Sequence, residues 1–266
     1  MNFHGVQIPG PSRFISLDEI DSIAQTYERS YREGTAANSF PFDIERFLDW
    51  LEISYYWDNL QQTEGVTCFA RINLDQRSTV EINEHYRAFF EDRPDVFRVC
   101  LGHEAGHLAL NHPAFFSSSD APAFFEPRDG HQFLHKQSWN QYGLTSAEVR
   151  ERIMTAKAAK EKLLVNAMIN KRAYDALKMI DDKCEPEWMF WQAEHFARCI
   201  AIPKDKLFEV LEVEPFTSGW SQVYRLVELF EVPVSSMRTR LEKLKIMELD
   251  GRGNPIAVVN PQPSLF

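Results

Sequence analysis

Residues 99–113 read VCLGHEAGHLALNHP, and this stretch decides how the rest of the chain is interpreted. Its apolar residues recur at helical spacing, which predicts a helix over about 93–111 that stops before Pro113. His103 and His107 are four residues apart. Their imidazoles are therefore expected on one face of that helix, one turn apart.

The spacing H-E-x-x-H is typical of two histidines that bind one tetrahedral Zn²⁺ ion. Glu104 lies between them and can take a proton from a metal-bound water as a general base. The flanking residues are apolar, which places these polar side chains in a buried helix rather than on a solvated face. We therefore predict a zinc site with His103 and His107 as ligands and Glu104 as the catalytic residue.

A third protein ligand is expected on the helix that follows Pro186. Glu187 and Glu194 are seven residues apart, which is two helical turns, so both can lie near one face. Ala193 and Ala197 flank Glu194 and would let another helix approach closely, and a carboxylate buried there needs a strong partner such as a metal. Glu187 is near the start of the helix, where a solvent-facing position is the simpler interpretation. Glu194 is the predicted third ligand and Glu187 the alternative.

The remaining chain predicts helices around a small sheet. Helical periodicity predicts further helices at 17–32, 42–53, 146–180, 187–202, 219–230 and 234–245. Apolar or alternating segments predict the strands of a small antiparallel sheet, at 53–57, 68–74 and 78–83. Ser16, with Glu19 three residues on, predicts the N-cap of the first helix. The stretch 113–145 is rich in Ser, Pro, Gly and Phe and predicts a long loop.

Composition and charge exclude several classes of protein. The chain has 266 residues and a net charge of −10, which argues against a general affinity for nucleic acid or an anionic membrane. No window approaches ~18 consecutive apolar residues, and the first residues lack the pattern of a secretory signal. The four cysteines form no C-x-x-C pair, which favours reduced thiols. We therefore expect a cytoplasmic protein.

The segment HEAGHLALNH resembles the active helix of ImmA/IrrE-type zinc metallopeptidases. The resemblance covers about 17–112 and 187–247, and its other segments are FPFDIERFLDWLEI, FARINLDQRSTVEIN, DVFRVCLGHEAGH, QAEHFARCIAIPKDKL and VELFEVPVSSMRTRLEKLKI. It implies an α+β, mostly helical fold. That fold is a zincin-like metallopeptidase core with a small antiparallel sheet, followed by a helix-turn-helix-like C-terminal segment.

The resemblance also divides the chain. The expected parts are N-terminal helices, sheet and active helix at 14–112, an insertion of loop and helix at 113–185, a third-ligand helix at 186–205, a helix-turn-helix-like segment at 206–250 and a tail at 251–266. The family pattern E-x-x-A-N/D-x-F-A places its first Glu on the metal. Aligning Phe196 and Ala197 with that pattern puts Phe190 at the position of this Glu, and Glu194 at the Asn/Asp.

The function implied by the resemblance is zinc-dependent endoproteolysis in cytosolic regulation. The expected partner is a protein substrate such as a DNA-binding repressor, with no membrane association and no direct contact with nucleic acid. Phe190 keeps an alternative open, a catalytically degenerate pseudo-peptidase. Such a protein would act by binding, as a sensor, an adaptor, or a toxin-antitoxin or phage regulator.

Three further interpretations concern substrate, oxyanion and DNA. Strand 78–83 precedes the active helix, and we predict that it presents an edge to which an extended substrate adds. The substrate-binding residues predicted there are Val80, Glu81, Ile82 and Asn83. His112, His131 and His135 are candidate oxyanion donors, although each also fits an ordinary loop or surface histidine. The stretch 237–245 has a net charge of +3, which fits DNA contact less well than a packed helix pair with basic residues at its surface.

Overall fold

The computed structural model describes residues 2–3, 6–7, 15–35, 40–60, 67–73, 79–112, 133–138 and 187–258. Helices predominate among these residues and the strands are short, so the architecture is α+β and mostly helical. In this part of the chain, no helix combines the length and apolar character needed to cross a membrane. The helix predicted at 146–180 and most of the predicted loop at 113–145 lie outside the described residues.

Most of the predicted helices that lie in the described residues begin and end within a few residues of the predicted bounds. They are α1 (Leu17–Thr35), α2 (Ile44–Trp50), α3 (Arg87–Asp92), α4 (Pro94–Ala109), α5 (Glu187–Ala201), α6 (Lys204–Val213), α7 (Trp220–Phe230) and α8 (Val234–Lys243). The predicted cap of α1 is confirmed, because the backbone N–H of Glu19 donates to Ser16 Oγ at 3.3 Å. The sequence did not indicate α3 or α6.

The main sheet has four strands in the described residues, and their order is β3–β5–β4–β6. The strands of the structure are β1 (Asn2–Phe3), β2 (Val6–Gln7), β3 (Ser54–Asp58), β4 (Thr67–Asn73), β5 (Thr79–Asn83), β6 (Phe133–Ser138), β7 (Met247–Leu249) and β8 (Pro255–Ala257). β4 pairs antiparallel with β5 and β6, but β3 pairs parallel with β5. The prediction of an antiparallel sheet is therefore wrong for β3, and β6 lies inside the stretch that we expected to be a loop.

The predicted substrate-binding edge is also wrong, because β5 lies inside the sheet. Its backbone pairs with β3 on one side and β4 on the other, so no unpaired edge remains for an added strand. Val80 and Ile82 are fully buried in the core, and Asn83 is buried as well. Glu81 forms an ion pair with Arg71, with 2.6 Å between Oε2 and Nε. These four residues are structural parts of the sheet.

Among the residues that the structure describes, two apolar clusters form the core. The larger cluster packs α1, α2, α4 and α5 against one face of the sheet, with Tyr27, Phe47 and Leu101 among its fully buried residues. The smaller cluster joins α6, α7, α8 and the antiparallel β7–β8 pair around Phe230 and Met237. β8 lies within the stretch expected to be a tail.

Helices α4 and α5 cross at very short distance because small residues face each other. A Cβ atom on Gly106 would lie 2.9 Å from the carbonyl oxygen of Ala193, and one on Gly102 would lie 3.3 Å from the Cβ atom of Ala197. The close approach predicted for Ala193 and Ala197 is therefore confirmed. It brings the histidine face of α4 against the face of α5 that carries Glu194.

The C-terminal helices are attached to the rest of the molecule by charged side chains. Arg98 of α4 forms an ion pair with Glu231, which has φ 50° at the turn between α7 and α8. Arg240 of α8 is fully buried and bonds to Asp21 of α1 at 2.7 Å. The face of α8 that carries Arg240 is therefore packed inside the protein.

Candidate metal centre

Helix α4 holds three polar side chains in a dry environment. His103, Glu104 and His107 are each fully buried. The helical spacing of four residues brings the two imidazoles together, with 3.0 Å between His103 Nε2 and His107 Nε2. The predicted histidine pair therefore forms, and its two Nε2 atoms meet at one place.

The chain turns back on itself where α4 ends. Asn111 adopts a left-handed conformation with φ 59°, which Asn tolerates better than most residues. The turn directs His112 back to the site, so that its Nδ1 lies 2.9 Å from Nδ1 of His107. His112 is 2% exposed, and burial lowers its pKa to about 3. The interpretation of His112 as a surface histidine is wrong, and no feature of the local sequence indicates its contact with His107.

Helix α5 contributes one polar contact to the imidazole of His103 and one to the imidazole of His112. Glu194 Oε2 lies 3.2 Å from Nδ1 of His103, and Glu194 Oε1 accepts a hydrogen bond from Arg198 at 2.9 Å. Gln192 Oε1 lies 3.0 Å from Nε2 of His112. Glu194 thus contacts the ring nitrogen of His103 that does not face His107.

This geometry does not decide whether Glu194 is the third metal ligand, and that assignment stays a prediction. The carboxylate of Glu194 lies beside the histidine pair, as expected, but its contact is with the ring of His103 rather than with the meeting point of the Nε2 atoms. Glu187, the alternative, is the first residue of α5, and its side chain lies outside the described residues.

Phe190 lies where the family pattern places a metal-binding Glu. Its ring centroid is 4.6 Å from that of His103, with an angle of 55° between the planes. The alignment made on the sequence therefore predicted a true spatial neighbour of His103. An apolar ring at this place cannot donate an electron pair to a metal, but it does exclude water from one side of the imidazole.

The two other candidate oxyanion donors, His131 and His135, stay predictions. His131 lies outside the described residues. His135 is in β6, opposite Arg71 in the strand register, and its side chain is likewise not described.

A second group of potential metal ligands lies on the other side of α5. Among the described residues, donor atoms of Asp21, His195 and Cys199 all lie within 4.8 Å of one another. Sequence reasoning missed this cluster, because its three members come from two helices far apart in the chain. Arg240 reaches the same place, and its Nη1 donates to Asp21 Oδ2 at 3.0 Å and to Cys199 Sγ at 3.2 Å.

The guanidinium group of Arg240 determines the protonation of Asp21 and disfavours a metal ion in this second cluster. Burial alone would raise the pKa of Asp21, but the hydrogen bond and charge of Arg240 outweigh it and lower that pKa. Burial raises the pKa of the Cys199 thiol and lowers the pKa of His195 to about 3, so both groups are neutral at pH 7. A buried cation already satisfies the one carboxylate, and a metal ion beside it would be repelled. We interpret the cluster as an attachment of α8 to α1 and α5.

Comparison with known proteins adds no family to this description. Neither the protein-family models nor the curated proteins that were searched match the chain.

Proposed function

We propose that this chain is a zinc-dependent endopeptidase, with His103 and His107 as metal ligands and Glu104 as the general base. The observation that carries the proposal is the separation of 3.0 Å between the two Nε2 atoms in a fully buried site. Two nitrogen ligands of a tetrahedral zinc ion lie roughly 3.3 Å apart, since each Zn–N bond is about 2.0–2.1 Å. The pair thus needs only a small adjustment to hold this ion.

The donor set fits zinc in kind as well as in distance. Imidazole nitrogens suit zinc, and a bound zinc ion supplies a water of lowered pKa and polarises a carbonyl group. Glu104 follows His103 on the same buried helix and would take the proton from the nucleophile and pass it to the leaving amine.

Substrate and setting follow from the resemblance of the sequence and are part of the proposal. The substrate would be a cytoplasmic regulatory protein such as a DNA-binding repressor, cleaved without membrane association. We expect no direct contact with nucleic acid, because Arg240 of α8 is buried and Arg238, although exposed, is paired with Glu242 at 2.8 Å. Of the three basic residues of α8, Lys243 is then the one that these contacts leave for phosphates.

The experiment combines metal content with cleavage of a quenched-fluorescent peptide library. We expect about one zinc per chain in the wild type, and loss of metal in His103→Ala. Glu104→Gln should keep the metal and lose at least roughly 10²-fold in cleavage rate, since it removes only the base. No zinc after addition of excess metal, or full cleavage by Glu104→Gln, would contradict the proposal.

The alternative function is a pseudo-peptidase that acts by binding, and Phe190 favours it. Its ring occupies a place beside His103 where the family pattern has a ligand. If this alternative holds, the wild type and Glu104→Gln bind a partner equally well, and neither protein cleaves the peptide library. A cleavage rate that the wild type shows and Glu104→Gln loses would exclude the pseudo-peptidase.

A further inference from the structure

We propose that the backbone carbonyl of Ile15 fixes, through Gln192 and His112, the tautomer in which His107 presents the lone pair of Nε2 to His103. We name these four residues, Ile15, Gln192, His112 and His107, the tautomer relay. Gln192 and His112 are then positioning residues for the metal centre. This inference rests on the proposed function, because it explains how the metal-binding atom is kept ready.

The first step of the relay is the orientation of the Gln192 amide. Its Nε2 donates to the carbonyl oxygen of Ile15 at 3.3 Å, and the side chain is 2% exposed. A carbonyl oxygen only accepts hydrogen bonds, so the NH₂ group must lie on that side. The Oε1 atom of Gln192 therefore faces His112 and can act there only as an acceptor.

The second step is the tautomer of His112. Its Nε2 lies 3.0 Å from Gln192 Oε1, so Nε2 must carry the hydrogen that this acceptor receives. The ring is 2% exposed, and the free energy needed to bury a charge keeps it neutral. In a neutral imidazole with hydrogen on Nε2, the other nitrogen, Nδ1, is an acceptor.

The third step transfers this choice to His107. The two Nδ1 atoms of His107 and His112 are 2.9 Å apart, and since that of His112 accepts, that of His107 donates. The hydrogen of His107 is then on Nδ1, which leaves a lone pair on Nε2. This atom is the one that lies 3.0 Å from Nε2 of His103.

The opposite imidazole is fixed in the same sense. The carboxylate of Glu194 accepts the hydrogen of His103 Nδ1 at 3.2 Å, and its other oxygen is held by Arg198. His103 therefore also presents a lone pair from Nε2. Two lone pairs that face each other at 3.0 Å repel, and a cation between them turns the repulsion into attraction. The hydrogen bonds of α5 thus prepare both nitrogens for a metal ion.

The test compares one substitution at Gln192 with a matched control. Gln192→Met is similar in size and removes both the acceptor of His112 and the donor to Ile15. Gln222→Met is the control, because Gln222 is also a buried amide bonded to backbone, donating to Pro215 O at 2.8 Å, but it lies in the C-terminal cluster. Zinc affinity is measured by competition with a chromophoric chelator.

Loss of a hydrogen bond to a ligating histidine typically weakens metal affinity about 10- to 100-fold, and we expect this of Gln192→Met. Gln222→Met should bind zinc like the wild type. Equal affinities of Gln192→Met and wild type would overturn the inference, since the metal would not depend on the relay.

A second measurement needs no metal. Long-range ¹H–¹⁵N NMR of the metal-free full chain should show hydrogen on Nδ1 of His107 and on Nε2 of His112, with both assignments lost in Gln192→Met. Hydrogen on Nε2 of His107 in the wild type would overturn the relay while leaving zinc binding intact. The expected tautomers in a wild type that binds no zinc would support the relay and refute the proposed function.

Discussion

Replacement of Gly106 by Ala should destabilise the protein, although Ala is the better helix former. The new Cβ atom would lie 2.9 Å from the carbonyl oxygen of Ala193 and 3.0 Å from its Cα atom. Both are backbone atoms of α5, so no rotamer change relieves the overlap and the two helices must move apart. Gly102 on the same helix provides the matched control, because its Cβ atom would meet Ala197 at 3.3 Å, which is tight but tolerable.

The two substitutions gain the same helix propensity, about 1 kcal/mol each. Overpacking against backbone costs about 1–3 kcal/mol, and we place Gly106→Ala at the upper end because both contacts are with backbone atoms. Gly106→Ala should therefore lose about 2 kcal/mol of unfolding free energy, and Gly102→Ala should stay within about 1 kcal/mol of wild type. The difference in unfolding free energy between the two variants, about 1–3 kcal/mol, is independent of the propensity scale.

Urea unfolding measures this difference, provided that the three proteins have equal m values. Zinc affinity gives a second readout, because separation of the helices also moves Gln192 and Glu194 away from the histidines that they contact. We expect weaker zinc binding in Gly106→Ala and unchanged binding in Gly102→Ala. Equal stability of the two variants, or a more stable Gly106→Ala, would refute the argument from close packing.

Two further predictions concern the buried ion pair. Arg240→Met should cost about 3 kcal/mol, because it leaves Asp21 without its cation, whereas Arg238→Met on the same helix removes an exposed pair and should cost less than about 0.5 kcal/mol. Chemical denaturation of both variants checks this, and similar losses would count against it. The pKa of Asp21 is lower in the folded protein than in the unfolded chain, so its contribution is present above the ordinary value of 3.8 and is lost as pH falls through the folded pKa. Stability below pH 4 should fall less steeply in Asp21→Asn than in the wild type, and equal slopes would contradict this assignment.

The part of the site that lies within one helical motif could be predicted from the sequence. The part formed by contacts between distant residues could not. His103 and His107 are four residues apart in one helical motif, so their shared face could be predicted from periodicity alone. Glu194 could be placed near it because Ala193 and Ala197 permit a close approach of another helix, and Phe190 was placed there by the family pattern that the sequence resembles. The histidine pair needed only the geometry of a single helix.

The rest depends on pairings that periodicity does not encode. β5 looked like an edge strand because strand order depends on which distant segments pair, and β3 and β4 happen to cover both its sides. His112 follows a helix end, where the left-handed turn at Asn111 determines its direction. The burial of Arg240 depends on Asp21, from which it is separated by 219 positions.

That separation has a consequence during synthesis of the protein. A ribosome adds about 5–20 residues per second, so Arg240 emerges roughly 10–45 s after Asp21. Throughout that interval the carboxylate of the first helix faces a nascent chain that does not yet contain its guanidinium partner. The contact between α1 and α8 therefore forms only after residue 240 has been synthesised, and a ribosome that stalls earlier leaves a chain in which α1 lacks this ion pair.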